Sequence, residues 1–321
     1  PRMLCGVSHR DQSVIVLRDQ LLQVPVGIAP SAMQKLAHPQ GEKAMARAAQ
    51  KAGSVMILST LSTISLEEVR QAAPKANLWL QLYVFKDRQI TRQLVRRAEK
   101  AGYNALVLTV DVPRFGHRVS DIRNHFSLPT HLRRCIDKIH HRLKQIPRHF
   151  GEPFGAFDYV PEPADTKARV TKESTFETRR RVWEMACMLS ASADVVSGVT
   201  KGTPGIRHYE ELEVKKWAIE VLPEVVAAVG KHMDIYLDGG VMYGTDVIKA
   251  LAIGAKAVFV GRPALWSLSY KGQKGVTKMF EIFKEEIDRT LALMGCRSTR
   301  KLDPSVVVRR ELYNNLWWYR K

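Results

Sequence analysis

The chain has 321 residues, 45% hydrophobic and 26% charged, and 50 Lys and Arg against 32 Asp and Glu give a formal net charge of +18. That length can bury one large α/β domain or two smaller ones. No apolar run reaches the ~18–20 residues of a membrane span, and the N-terminal PRMLCGVSHRDQ lacks the apolar core of a signal peptide. Cys5, Cys135, Cys187 and Cys296 are widely scattered, with no CxxC pair and no nearby His at metal spacing, which predicts reduced thiols in an intracellular protein and no metal site. The positive charge clusters in RRCIDKIHHRLKQIPRH (133–149) and RRR (179–181). A basic surface can serve nucleic acid or an acidic membrane. Without aromatic residues interleaved among the basic ones, a solvated face is the plainer reading, and neither partner is expected.

From residue 24 short apolar runs alternate with helical patterns. VPVGIAP precedes GEKAMARAAQKAG, and VMILS precedes SLEEVRQAA, where Ser65 has N-cap position and Glu68 capping-box spacing. LWLQLYV leads into DRQITRQLVRRAEKAG, whose Ile90, Leu94, Val95 and Ala98 share one helical face. ALVLTVDVP is a fourth strand, and Gly53 and Gly102 stand where helices should close. Residues 133–205 are harder to read. EPFGAFDYVPEPADTKARVTKEST is loop-like, RRVWEMACMLSA helical, and ADVVSGV a short strand candidate. A helix over HYEELEVKKWAIEVLPEVVAAVG should kink or restart at Pro223. Strands at Ile235–Leu237 and Ala257–Val260 flank a last helical repeat.

Continuous apolar strands between amphipathic helices indicate a parallel sheet covered on both faces. No glycine-rich dinucleotide fingerprint follows an early strand, so the predicted class is α/β, a (β/α)8 TIM-type barrel. Six strands are clear, and the strand 5–6 region is open to being incomplete. One domain is expected over 1–321, with an atypical segment at about 133–217.

Ligand groups of a parallel barrel gather at the C-terminal strand ends. Those ends read Ala29-Pro30-Ser31, Ser59, Gln81 with Tyr83, Thr109 with Asp111, Asp238-Gly239-Gly240 and Gly261-Arg262. They form a hydrogen-bonding ring with few formal charges, suited to a large, flat, polar-edged ligand. The last two ends suit a phosphate, because glycines admit it close to backbone N–H groups and Arg262 adds a charge.

These segments resemble the FMN-dependent 2-hydroxy-acid oxidases and dehydrogenases, the family that includes glycolate oxidase. IAPSAMQKLAHPQGE, LWLQLYVFKDR, LTVDVPRFGHRVSDIRN, YLDGGVMYGTDVIKALAIGAKAVFVGRP and LALMGCRS occur in the family's order. The resemblance implies FMN as cofactor. Ala29, Pro30, Ser31, Ser59, Gln81 and Thr109 would lie at its ring, and Asp238, Gly239, Gly240, Met242, Gly261 and Arg262 at its ribityl phosphate. It implies that Tyr83 and Arg118 bind the substrate, and that Leu61, where short-chain enzymes carry Trp, marks a larger or different 2-hydroxy acid. The implied reaction oxidises an (S)-2-hydroxy acid to a 2-oxo acid and passes electrons to O2, forming H2O2. A homo-tetramer in the peroxisome is implied as well, although the C-terminal NNLWWYRK carries no S-K-L-type tripeptide.

The resemblance weakens in the middle. The family's lysine segment and its SNHGGRQLD-like segment, with base and clamp arginine, have no clear counterpart. His208 in GIRHYEELE stands one position from the expected base, Glu210 stands where the clamp arginine should be, and Met242 replaces a usual Arg. A solvent-facing helix histidine is the competing reading of His208. Lys201 echoes the lysine strand, but seven positions to His208 are too few for a helix and another strand. The alternative is therefore a catalytically dead or aberrantly spliced relative.

Overall fold

The structure, a computed structural model, describes residues 8–17, 19–85, 87–109, 123–136, 187–190, 218–230 and 232–308. A short antiparallel hairpin, β1 (Val14–Val16) and β2 (Gln20–Leu22), precedes the first barrel strand. Then follow β3 (Val26–Ile28), α1 (Gly41–Ala52), β4 (Val55–Leu58), α2 (Leu66–Ala72), β5 (Asn77–Leu82), α3 (Arg88–Lys100) and β6 (Ala105–Leu108). Later in the chain come β7 (Cys187–Ser190), α4 (Ala218–Val229), β8 (Ile235–Asp238), α5 (Gly244–Ile253), β9 (Ala257–Val260) and α6 (Arg262–Leu293). β3 to β9 form one sheet in the order β6-β5-β4-β3-β9-β8-β7, and every pairing in it is parallel.

Local signals behave as read. Ser65 accepts the Glu68 N–H at 3.3 Å, and Gly53 closes α1 at φ 64. Ile90, Leu94 and Ala98 are the buried face of α3. Two expectations are corrected. Cys187–Ser190 lies inside the stretch read as helix and is a strand, paired with Ile235–Asp238. So short a run, three apolar residues and a serine, fits either pattern, and parallel hydrogen bonding to β8 decides it. Pro223 does not interrupt α4, which runs through it from Ala218; the ring costs the helix only the bond to the Ile219 carbonyl. The ADVVSGV candidate and the Pro-rich stretch before it lie outside the described residues.

The sheet carries two cores. Its outer positions, among them Met56, Leu58, Leu78, Leu80, Leu237 and Val258, pack on α1, α5 and α6. Its inner positions, Val55, Ile57, Trp79, Ala105, Tyr236, Ala257 and Phe259, join Val14, Val16 and Leu22 of the hairpin. Trp79 of β5 and Tyr236 of β8 meet at 5.8 Å between ring centroids, although three strands separate them in the sheet. Only a curled sheet brings them together, with the hairpin as its floor. Gln20 accepts from Asn77 Nδ2 at 2.9 Å and Trp79 Nε1 at 3.0 Å, while the Leu17 N–H donates to the Tyr236 hydroxyl at 3.1 Å. Each large apolar side chain buried here stabilises the fold by roughly 1.5–3 kcal/mol. The packing is tight at Gly27, where a Cβ would stand 2.5 Å from the Phe259 ring, so Gly27→Ala breaks the interior.

Candidate functional site

Strand side chains alternate between faces, so two residues beyond each inner position lies another inner position. From Ile57, Trp79, Val107, Tyr236 and Phe259 that step reaches Ser59, Gln81, Thr109, Asp238 and Gly261. Ala29 belongs to the same inner cluster. The predicted strand-end residues are therefore the uppermost layer of the barrel interior.

On the β4–β6 side this layer is already bonded together. Gln81 Nε2 donates to Thr109 Oγ1 at 2.9 Å, and Gln81 Oε1 accepts from the Thr60 N–H at 3.0 Å and from Ser59 Oγ at 3.5 Å. Ser59 Oγ accepts the Leu61 N–H at 3.1 Å. Gln81, Ser59 and Thr60 are buried, so these bonds hold polar groups that would be costly to leave unmet. Thr60, which also bonds the Gln81 carbonyl, was not visible as a site residue in the sequence. On β3, the Ala29 N–H donates to the Val260 carbonyl at 3.1 Å, and Ser31 Oγ donates to the Ala29 carbonyl at 3.4 Å. Pro30 lies half-buried between them, and Tyr83, also half-buried, extends the inner face of β5 by one step.

The β8–β9 side is built differently. Gly239 and Gly240 follow β8 with φ 96 and 78, a left-handed pair that side chains rarely adopt, and the Cβ positions of Gly240 and Gly261 have nothing within 4 Å. Arg262 opens α6 and is exposed, and no side chain caps that helix. Uncapped helix N–H groups, an open glycine surface and a guanidinium are what a phosphate requires. At the start of α5 the amides are already engaged. Asp246 Oδ2 accepts from Met242 N at 3.2 Å and Tyr243 N at 3.1 Å, and Glu286 accepts from Gly244 N at 2.6 Å. Met242 itself is exposed, and an anion fits best toward Gly239-Gly240 and Gly261-Arg262. Burial at the end of β8 pushes the Asp238 carboxyl up to about 6, against a backbone bond from Gly239 that lowers it.

Both halves suit FMN: a polar layer for the edge of a flat ring, and an anion cradle one arc away. The FMN-dependent dehydrogenase model matches residues 1–201 and 210–309. The chain belongs to this family. FMN is its cofactor. It is 40% identical to 2-hydroxyacid oxidase 1 of Mus musculus over 319 residues, covering 97% of this chain and 85% of that protein. It is 41% identical to glycolate oxidase 3 of Oryza sativa subsp. japonica over 312 residues, covering 96% and 84%. Among solved structures, mandelate oxidase with (S)-4-hydroxymandelic acid superposes with a TM-score of 0.74 at 30% identity, over 95% of this chain and 85% of that one. A mandelate oxidase variant has been solved with an FMN adduct. The fold class is thus the α/β barrel of these oxidases, and nothing in the comparisons supports a catalytically dead or aberrantly spliced relative.

Arg118, Asp111, Lys201, His208 and Glu210 lie outside the described residues. His208 also falls within 202–209, the stretch between the two parts of the family match. Among the described residues no helix is long and apolar enough to cross a membrane. Cys135 and Cys296 are not joined in a disulfide.

Proposed function

We propose that this chain oxidises an (S)-2-hydroxy acid to the 2-oxo acid with FMN as cofactor, O2 taking the electrons and leaving as H2O2. The observation behind this reading is the single interior layer that carries Ser59, Gln81, Thr109, Asp238 and Gly261 at one end of the barrel. When bound, FMN supplies the two-electron acceptor for the substrate's α-carbon. Ala29, Pro30, Ser31, Ser59, Gln81 and Thr109 orient its ring, and Asp238, Gly239, Gly240, Met242, Gly261 and Arg262 surround its ribityl phosphate. Arg118 pairs with the substrate carboxylate, a task that a planar, permanently charged guanidinium does well. Tyr83 bonds the hydroxyl oxygen, and His208 takes its proton.

Leu61 stands where short-chain relatives carry Trp, and this reading favours a larger or different 2-hydroxy acid. By the same reading residues 1–321 form one barrel domain that works inside the cell, in the peroxisome, as a homo-tetramer, with neither nucleic acid nor membrane as partner.

The test is the absorbance spectrum between about 300 and 550 nm after incubation with FMN and gel filtration, followed by anaerobic addition of 2-hydroxy acids. Flavin bands that co-elute and bleach with substrate, with bleaching lost in His208→Asn, are expected. A colourless protein, or a yellow one that no 2-hydroxy acid bleaches, overturns the proposal.

A further inference from the structure

We propose that Glu42 is a positioning residue, whose buried carboxylate sets the spacing between the loop after β3, with Ala29 to Ser31, and the loop after β4, with Ser59 and Leu61. The inference rests on the flavin reading above. Glu42 is the second residue of α1 and has no exposed surface. Its Oε1 accepts the Thr63 N–H at 2.7 Å and the Gln34 N–H at 3.2 Å. The Thr63 hydroxyl lies 2.9 and 2.8 Å from its two oxygens and accepts the Lys35 N–H at 3.2 Å. Next to this cluster the Met33 N–H donates to the Leu61 carbonyl at 3.2 Å. One carboxylate therefore receives amides from both loops, and the first turn of a helix is a favourable place for an anion.

The sheet itself does little to hold these loops together. β3 and β4 share one register pair, Ile28↔Met56, whereas β4 and β5 share four and β3 and β9 share three. The alignment of their C-terminal ends falls to the contacts above the strands, and Glu42 is the centre of those contacts. Its task is to hold the ring-side residues of β3 in register with Ser59 and Leu61. Both amides share Oε1, so a glutamine with its carbonyl oxygen there keeps them and turns its NH2 to the Thr63 hydroxyl, which can accept, whereas an alanine removes the acceptor of both amides.

The experiment compares the wild type with Glu42→Ala and Thr63→Val. Amide hydrogen exchange is followed in the protein without FMN, and the flavin spectrum and kcat and KM for a 2-hydroxy acid are measured with FMN. In Glu42→Ala the amides of Gln34, Lys35 and Thr63 should exchange faster while those of β5 and α3 do not change. Flavin should still bind through its phosphate, with ring bands shifted from the wild type and kcat lowered about 10- to 100-fold, as expected for misplaced reacting groups. KM should change far less. Thr63→Val, which keeps the Thr63 amide but loses the hydroxyl, should show the same pattern in weaker form, and it carries the test if Glu42→Ala does not fold. Wild-type exchange at the three amides, or a lowered melting temperature with wild-type spectrum and kcat, would overturn the proposal. A wild type that never binds FMN would overturn the flavin reading and with it the positioning role, leaving the exchange result to show only whether Glu42 joins the loops.

Discussion

Along the β4–β6 arc the site residues hydrogen-bond to one another, as in Ser59, Thr60, Gln81 and Thr109. Along the β8–β9 arc the corresponding positions are glycine backbone, an exposed guanidinium and a half-buried carboxyl. The first arc is organised before any ligand arrives, and a ligand edge must match its donors and acceptors. The second offers charge and close approach with little shape. On the proposed flavin reading, selectivity for the ring belongs to one arc and affinity for the phosphate to the other.

The strongest test of that division is Arg262→Ala. A hydrogen bond to a charged group contributes roughly 1.5–3 kcal/mol, so FMN should bind about 10- to 100-fold more weakly. Riboflavin, which lacks the phosphate, should bind as it does to the wild type. Equal losses for both ligands in fluorescence titrations would break the comparison.

Gln81→Ala acts on the other arc. It leaves the Thr60 amide and two hydroxyls short of partners in a buried setting and should cost about 1–3 kcal/mol in denaturant unfolding. Arg262→Ala should stay within about 0.5 kcal/mol of wild type in the same measurement, since its side chain is exposed.

Asp238 adds a pH dependence. Its folded value of about 6 lies above the ordinary 3.8, so between the two the folded state holds a proton that the unfolded state has released. The contribution of this group to stability therefore falls as pH rises from about 4 to about 6. Unfolding free energies of wild type and Asp238→Asn, compared at both ends of that window, should converge at the acid end and separate above it. A constant difference would mean that burial does not raise this carboxyl.

The smallest effect is expected from Met242→Arg. An added charge at this exposed position contributes about 0.2–1 kcal/mol, enough to tighten FMN by up to roughly fivefold at low salt and hardly at all at high salt. No gain at any ionic strength would place the phosphate away from the α5 entrance, where Asp246 already holds the Met242 and Tyr243 amides.

Much of the site was legible because strand ends of a parallel sheet are easy to find once the strands are. The apolar runs at 26–28, 55–58 and 257–260 each end in small or polar residues, and those are the residues that share the inner layer. Glu42 was not legible. In sequence it looks like an ordinary acid in the first turn of a helix, and only the folding of two loops over it makes it fully buried. Thr60 was hidden for a similar reason, since its partner Gln81 belongs to the next strand. β7 was misread as helix because a run of four residues carries no period of its own.

The sequence by itself determined the alternation of strand and helix, the caps at Ser65 and Gly53, and the glycines that open the β8 and β9 ends. These depend on residues a few positions apart, whose preferences act wherever the segment finds itself. Tertiary structure alone decided that the sheet curls until Trp79 touches Tyr236, that residues from 29 to 261 share one interior layer, and that Glu42 bridges two loops. Those relations join distant parts of the chain, and they exist only once the sheet has curled around its core.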